Sequence, residues 1–367
     1  MTLEELIVKM AEAGVKLQRA DGSFPPGTNG PRRMKETPVK ATAHWGMLLF
    51  AAKEINSDAK FQSGIEHCRD YLHSKKLRPH NKAYHCCIND RPVLTTNGLI
   101  GQSWAVEFLY TIGKYFGDEK SLSIAHNTIL SHRFDNNTSL WNSVDLEGNP
   151  LGVHHPLNQQ IWFSLQAHRI GNLYKDLQLV NSVENFIAKL PEIITLENRI
   201  LANSVPLKTT HARSPYSTIR EILKRIKKTK KRREFARGYH AFTLLGIALL
   251  RQETQRHFVW KEDDICKKIA ISIDTLNNQI YNFSPNQFSF AYAYNPTGFE
   301  AAAVLNYLSE FTNSSKQLEV DWIKRQLNLH FDPTTYTMSR NTCDPNTLSA
   351  RAYEILYYPN KSLELSV

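Results

Sequence analysis

The chain has little that would staple or anchor it. Its five cysteines, Cys68, Cys86, Cys87, Cys266 and Cys343, are odd in number and show no paired spacing, which argues against a disulfide framework and for a reducing, cytoplasmic setting. No apolar run reaches the roughly 18 residues that a membrane-crossing helix needs. The first turns carry Glu4, Glu5 and Glu12 within a helical pattern, so no signal peptide is expected. His85-Cys86-Cys87 is dense in potential metal ligands, yet nothing at zinc-site spacing follows it, and neither a metal nor another cofactor is expected. A Gly-rich phosphate loop and a nucleophile elbow are missing as well. Strand-like alternation is almost absent, with residues 287–294 the main exception. A helical protein remains.

What the sequence does contain recurs. Residues 97–129 read as a helical hairpin: Leu99, Trp104, Val106, Phe108, Leu109 and Ile112 make a nearly all-apolar first helix, and Gly117-Asp118 a tight turn. Leu122, Ile124, Ala125 and Ile129 then mark an amphipathic second helix. Trp45, Trp104 and Trp162 occupy matching places 59 and 58 residues apart, and further copies begin near Tyr239, Gly298 and Leu348. Amphipathic helices are expected at about 2–18, 60–75, 119–131, 176–189, 262–279 and 316–328, giving six hairpins and twelve helices. With 41% hydrophobic residues and units that lean on one another, the 367 residues read as one domain.

The links between helices are unequal. Those leaving an apolar helix are short, whereas residues 20–39, 76–96, 132–156, 190–236, 280–296 and 330–345 form long connections rich in Gly, Pro and Asn. Long loops at one end of a rigid scaffold usually carry binding and chemistry. Buried first helices and half-exposed second ones suggest an all-α closed ring, an inner barrel within an outer one. An open solenoid is the rival, although solenoid repeats normally have short uniform loops and polar caps.

Twelve helices so arranged resemble the α/α-toroid class, which includes glucuronyl C5-epimerases, polysaccharide lyases, some glycoside hydrolases, and terpenoid cyclases and prenyltransferases. Gln18-Arg19-Ala20-Asp21-Gly22-Ser23-Phe24 is similar to the Gln-x-x-Asp-Gly-Ser-aromatic turn found in several of them. Residues 97–128, 155–170 and 237–251 look like the catalytic region of the C5-epimerases in order and spacing. The resemblance implies an (α/α)6 toroid acting on a saccharide. Acidic signatures expected of a terpenoid cyclase are missing, since Asp263-Asp264 falls on an outer helix.

The residues themselves place polar groups at the starts of the inner helices, where a ring would gather them into one pocket. His44, Asn97, Gln102, His154, Asn158, Arg237, Arg351 and Glu354 belong to this set, with Tyr292 and Tyr294 as stacking partners and Asp344 at the last helix start. Such a mixture suits a sugar better than a hydrocarbon. Arg237-Gly238-Tyr239-His240 precedes a fully apolar helix; Tyr239 and His240 read as acid and base for abstracting a proton beside a carboxylate, with His155 and Arg237 positioning the acid. Packing is the other reading of Tyr239. His44 reads equally as a core histidine, and one of His154 and His155 as a cap. Glu300 stands alone on an apolar helix, where a glutamate needs a partner or a task. Arg351 and Glu354, at i and i+3, fit either an ion pair or substrate binding. Trp104 and Trp162 read as core.

Between Arg220 and Arg237, ten Lys or Arg face two Glu, a local excess of eight within a net charge of +10. Ile219, Ile222, Leu223 and Ile226 recur at helical spacing, so an insertion at about 205–236 reads as a basic amphipathic helix for an anionic membrane surface, or as a solvated segment. Nucleic acid fits less well, because aromatics are not interleaved with the charge. The expected function is epimerisation or elimination at C5 of a uronic acid within an acidic saccharide. A glycoside hydrolase using Glu300 with Asp344 or Glu354, and a non-catalytic saccharide- or membrane-binding assembly protein, are the alternatives.

Overall fold

Helices form where apolar spacing and end signals coincide. In the computed structural model, which describes residues 1–206 and 234–365, the odd-numbered helices are α1 (Leu3–Leu17), α3 (Ala59–Leu72), α5 (Glu119–Leu130), α7 (Leu177–Ile193), α9 (Asp263–Thr275) and α11 (Lys316–His330). Side chains of Thr2, Asp58, Asp118, Asp176 and Ser315 cap five of these by accepting first-turn N–H groups, and each buries one stripe. The even-numbered helices are α2 (Val39–Ile55), α4 (Gly98–Phe116), α6 (Leu157–Tyr174), α8 (His240–Glu253), α10 (Thr297–Tyr307) and α12 (Pro345–Arg351), the last continued by a 3-10 stretch, Ala352–Tyr357. They are buried nearly all round.

The even helices pack in sequence, α2 on α4, α4 on α6, α6 on α8 and α8 on α10; α10 then meets the 3-10 stretch, which with α12 packs back on α2. The ring is closed, an α/α toroid with the odd helices outside. Main-chain bonds between Leu3 and Leu363 and between Leu365 and Met1, both 2.8 Å, stitch residues 1–3 to 363–365 beside the closing helix. No helix among the described residues is long and apolar enough to cross a membrane.

Residues 287–294 differ from their alternating pattern. Tyr292 takes a left-handed φ of 61°, which breaks an extended strand and sends the tyrosines different ways. The β structure instead decorates two long loops: an antiparallel three-stranded sheet at Phe134–Asp135, Leu140–Val144 and Pro150–Val153, and a hairpin at Leu196–Glu197 and Ile200–Leu201. The basic run and its apolar spacing at Ile219, Ile222, Leu223 and Ile226 lie outside the described residues.

Candidate functional site

Five even-numbered helices begin without a side-chain cap, at Pro38, Asn97, Pro156, Tyr239 and Pro296. The positive ends of their dipoles point toward the loop end of the ring, where Gln159 and Gln326 accept the Ile100 and Gly298 N–H groups in place of an N-cap side chain. There a cup of about 200 Å³ opens.

Its floor is aromatic. Trp104 from α4, Phe242 from α8 and Tyr294 lie over the Arg351 guanidinium, whose Cζ is 5.9, 4.9 and 5.2 Å from the three ring centroids. The Trp104 Nε1 is buried without a hydrogen-bond partner, as is Oδ1 of Asn203 in the wall, so a donor and an acceptor stand free.

One wall is set by backbone. Asn97 and Gly98 are both left-handed, with φ of 55° and 58°, and this turn lays the start of α4 against His154. A Cβ on Gly98 would come within 2.5 Å of the His154 ring and 2.6 Å of Gln159 Oε1, so the site needs glycine. His154 Nε2 sits 2.8 Å from Gln159 Oε1, which also accepts from the Ile100 N–H at 3.1 Å. An amide oxygen only accepts, which assigns the proton to Nε2 and leaves Nδ1 with its lone pair. Burial drives the His154 pKa down to about 4, against the opposing Gln159 bond, so the ring is neutral at pH 7. The strand Leu140–Val144 delivers it: the His154 N–H bonds Trp141 O, and Gln160 Nε2 on α6 clamps both carbonyls.

The opposite wall carries Arg32, Asn29 and Tyr239. The Tyr239 phenol, followed by that of Tyr294, raises the Arg32 pKa against the effect of burial. Tyr294 donates to Asn29 Oδ1 at 2.6 Å. Asp344 shapes the loop that holds them, accepting the Thr28 and Gly30 N–H groups at 2.8 and 2.7 Å while capping α12 through Thr347.

The cup thus brings together Asn97, His154, Asn158, Tyr239 and Tyr294. Other candidates take structural positions. His240 is fully buried with both nitrogens engaged, Nδ1 accepting from Leu201 N at 3.1 Å and Nε2 donating to Ser272 O at 2.9 Å. Gln102 fastens the preceding loop, bonding Tyr84 N, Tyr84 O and Thr96 O. Tyr292 points outward to Arg325 and stacks on Trp322. His155 is exposed on the outer lip, and Arg237 lies over Phe283 in a neighbouring groove. Asp344 holds loop rather than lining the cup.

Glu300, Arg351 and Glu354 form a buried cluster beneath the floor. Arg351 bonds Glu354 at 2.7 Å, Glu300 at 3.2 Å and Asn295. Burial first, then its neighbour Glu354, lifts the Glu300 pKa well above the carboxylate range. His44 stacks on Tyr353 at 4.5 Å and meets the edge of Trp104, with both nitrogens unpartnered; burial holds it neutral.

Asn29, Arg32, Asn203 and Phe242 are cup residues that the sequence reading did not single out. The Asn-Gly-Pro-Arg run at 29–32, inside a long loop, was the available signal for two of them.

No family model matches the chain. Archaeal glycosylation protein Q of Haloferax volcanii is 31% identical over 366 residues, covering 96% of this chain and 96% of that protein. The chain belongs to the archaeal glycosylation protein Q family. For this family the fold is further defined by solved structures that are similar in shape and distant in sequence. Cellobiose 2-epimerase from Bacillus thermoamylovorans superposes with a TM-score of 0.67 at 9% identity, over 97% of this chain and 98% of that one. A D-mannose isomerase gives 0.65 at 10%, and an unsaturated glucuronyl hydrolase specific for heparin 0.61 at 10%, each over 97% of this chain and 96% of the other. At such identities they establish the α/α toroid and nothing finer.

Proposed function

We propose that the chain modifies a sugar unit of a glycan by moving a proton at C5 of a uronic acid. The relative is named a glycosylation protein, and the three solved neighbours are named as enzymes acting on sugars. A cup of about 200 Å³ falls below the ~300–1,000 Å³ of pockets for drug-sized ligands, which suits one sugar ring.

The charge of the cup carries the reading. Among the described lining residues Arg32 is the charged side chain, and no carboxylate accompanies it. An unbalanced guanidinium in a confined space favours an anion, and the uncapped helix starts around it act in the same sense. Arg32, with Asn97 and Asn158, holds the substrate carboxylate. Tyr239 and neutral His154 stand on different walls. His154, through its Nδ1 lone pair, takes the C5 hydrogen as a proton; the electron pair left behind spreads into the carboxylate as an enolate-like species beside Arg32. Tyr239 returns its phenol proton to the opposite face, inverting C5. Loss of a 4-linked group from the same intermediate gives the unsaturated elimination product.

Glycoside hydrolysis calls for two carboxyl groups about 5–10 Å apart across the scissile bond. Glu300 and Glu354 lie below the aromatic floor, committed to Arg351, and this favours proton transfer over hydrolysis. Incubation with uronate-containing oligosaccharides in deuterated water should introduce deuterium at C5, and Tyr239→Phe should slow uptake by about 100-fold or more. Release of reducing sugar without isotope incorporation would overturn the proposal.

A further inference from the structure

A second depression opens beside the cup and shares a wall with it: Arg32 and Phe235 line both. This groove measures about 980 Å³ and carries four phenylalanines, Phe235, Phe283, Phe288 and Phe290. Cations lie against these rings, Arg32 at 4.9 Å from the Phe235 centroid and Arg237 at 5.4 Å from that of Phe283. Arg33 covers Phe288 at 5.2 Å. Stacking fixes a guanidinium while leaving its edge N–H groups for an anion. Arg237 Nε is buried with no hydrogen-bond partner, and Glu234 is the one carboxylate among the described lining residues.

We propose that this groove holds the phosphate ester through which the sugar is activated, so that the substrate is a glycosyl phosphate diester. The sugar sits in the cup, the phosphate bridges Arg32 and Arg237, and the group esterified to the phosphate runs over Phe283, Phe288 and Phe290. Two guanidiniums match the forked geometry that phosphate oxygens accept. The rings match an apolar or aromatic tail; inorganic phosphate would leave them bare. Both a nucleoside and a prenyl chain present this chemistry, and the inference rests on the uronate reading of the cup.

Calorimetric titration of the full chain with glucuronic acid, its 1-phosphate, glucose 1-phosphate, UDP-glucuronic acid and a short prenyl-phosphate-linked glucuronic acid tests it. Glucuronic acid 1-phosphate should bind about tenfold or more tighter than the free sugar, and one of the two diesters about tenfold tighter again. Arg237→Gln should remove the phosphate gain while affinity for the free acid stays within about twofold, which also reports that the variant folds. Phe288→Ala should remove the gain of the preferred diester, and which diester that is separates the nucleoside from the prenyl source. Equal binding of glucuronic acid and its 1-phosphate, or a phosphate gain that survives Arg237→Gln, overturns the groove assignment. Phosphate-dependent binding with equal affinity for glucose 1-phosphate overturns the uronate reading and leaves the groove standing. Failure of all five to bind overturns both.

Discussion

Two polar layers lie one under the other on the ring axis, and they differ in how their groups are partnered. In the lower layer cations meet acid groups: Arg351 joins one oxygen each of Glu300 and Glu354, whose Oε2 atoms stay unpartnered, while Glu107 accepts from Tyr357 at 2.6 Å and Tyr353 at 3.4 Å and faces Arg169 at 3.6 Å. Among the described residues lining the cup Arg32 meets no carboxylate, and Trp104 Nε1 and Asn203 Oδ1 have no hydrogen-bond partner. Similar residue types therefore serve opposite ends. A cation matched by acid groups fixes structure, and one left unmatched in a cavity is open to an anion.

The comparison breaks most visibly in the lower layer. Arg351→Met leaves two fully buried acid groups without their cation and should cost about 3–5 kcal/mol, seen as a large drop in Tm. Adding Glu300→Gln should recover part of that loss, because one of the two buried acid groups is gone. A smaller effect is expected from Gly98→Ala in the cup wall. A methyl 2.5 Å from the His154 ring, at a φ of 58°, should cost about 1–3 kcal/mol and displace the His154–Gln159 pair, so isotope exchange should fall more than stability does.

The smallest expected effect is a pH dependence. Burial pushes His132, His154 and His240 down to about 4. An unfolded histidine titrates near 6.5, so between pH 6.5 and 4 the unfolded chain binds protons that the folded chain refuses. Stability must then fall as pH falls through that window, each group contributing at most about 1.4 kcal/mol per pH unit. Urea midpoints at pH 7, 6 and 5 should show a shallower decline for His154→Gln, and an unchanged slope would contradict the assignment of this ring as buried and neutral.

The architecture was largely legible because burial imposes a period. Tryptophans at 45, 104 and 162 fall on α2, α4 and α6, and the amphipathic stretches expected outside the ring match the odd helices within four residues at each end, the largest differences being that 262–279 outlasts α9 by four and α7 outlasts 176–189 by four. The site was legible only in part, since spacing tells where a helix starts but not how it is rotated. Tyr239 and His240 are neighbours in sequence, yet the first lines the cup and the second bonds Ser272 O on α9. His154 and His155 part in the same way, one buried against Gln159 and one exposed. Arg32 reaches the cup from a loop whose course depends on Asp344, over three hundred residues further along, and no local pattern reports such a bond.

Ring closure has an order. Arg351, the cation beneath the aromatic floor, belongs to the helix that packs back on α2, and it follows the other ring helices along the chain. Until that helix docks, a nascent chain can hold most of its staves yet lacks the base on which a ligand would rest. Closing the barrel and supporting the floor of the cup thus become one event, and a chain whose ring is still open has neither.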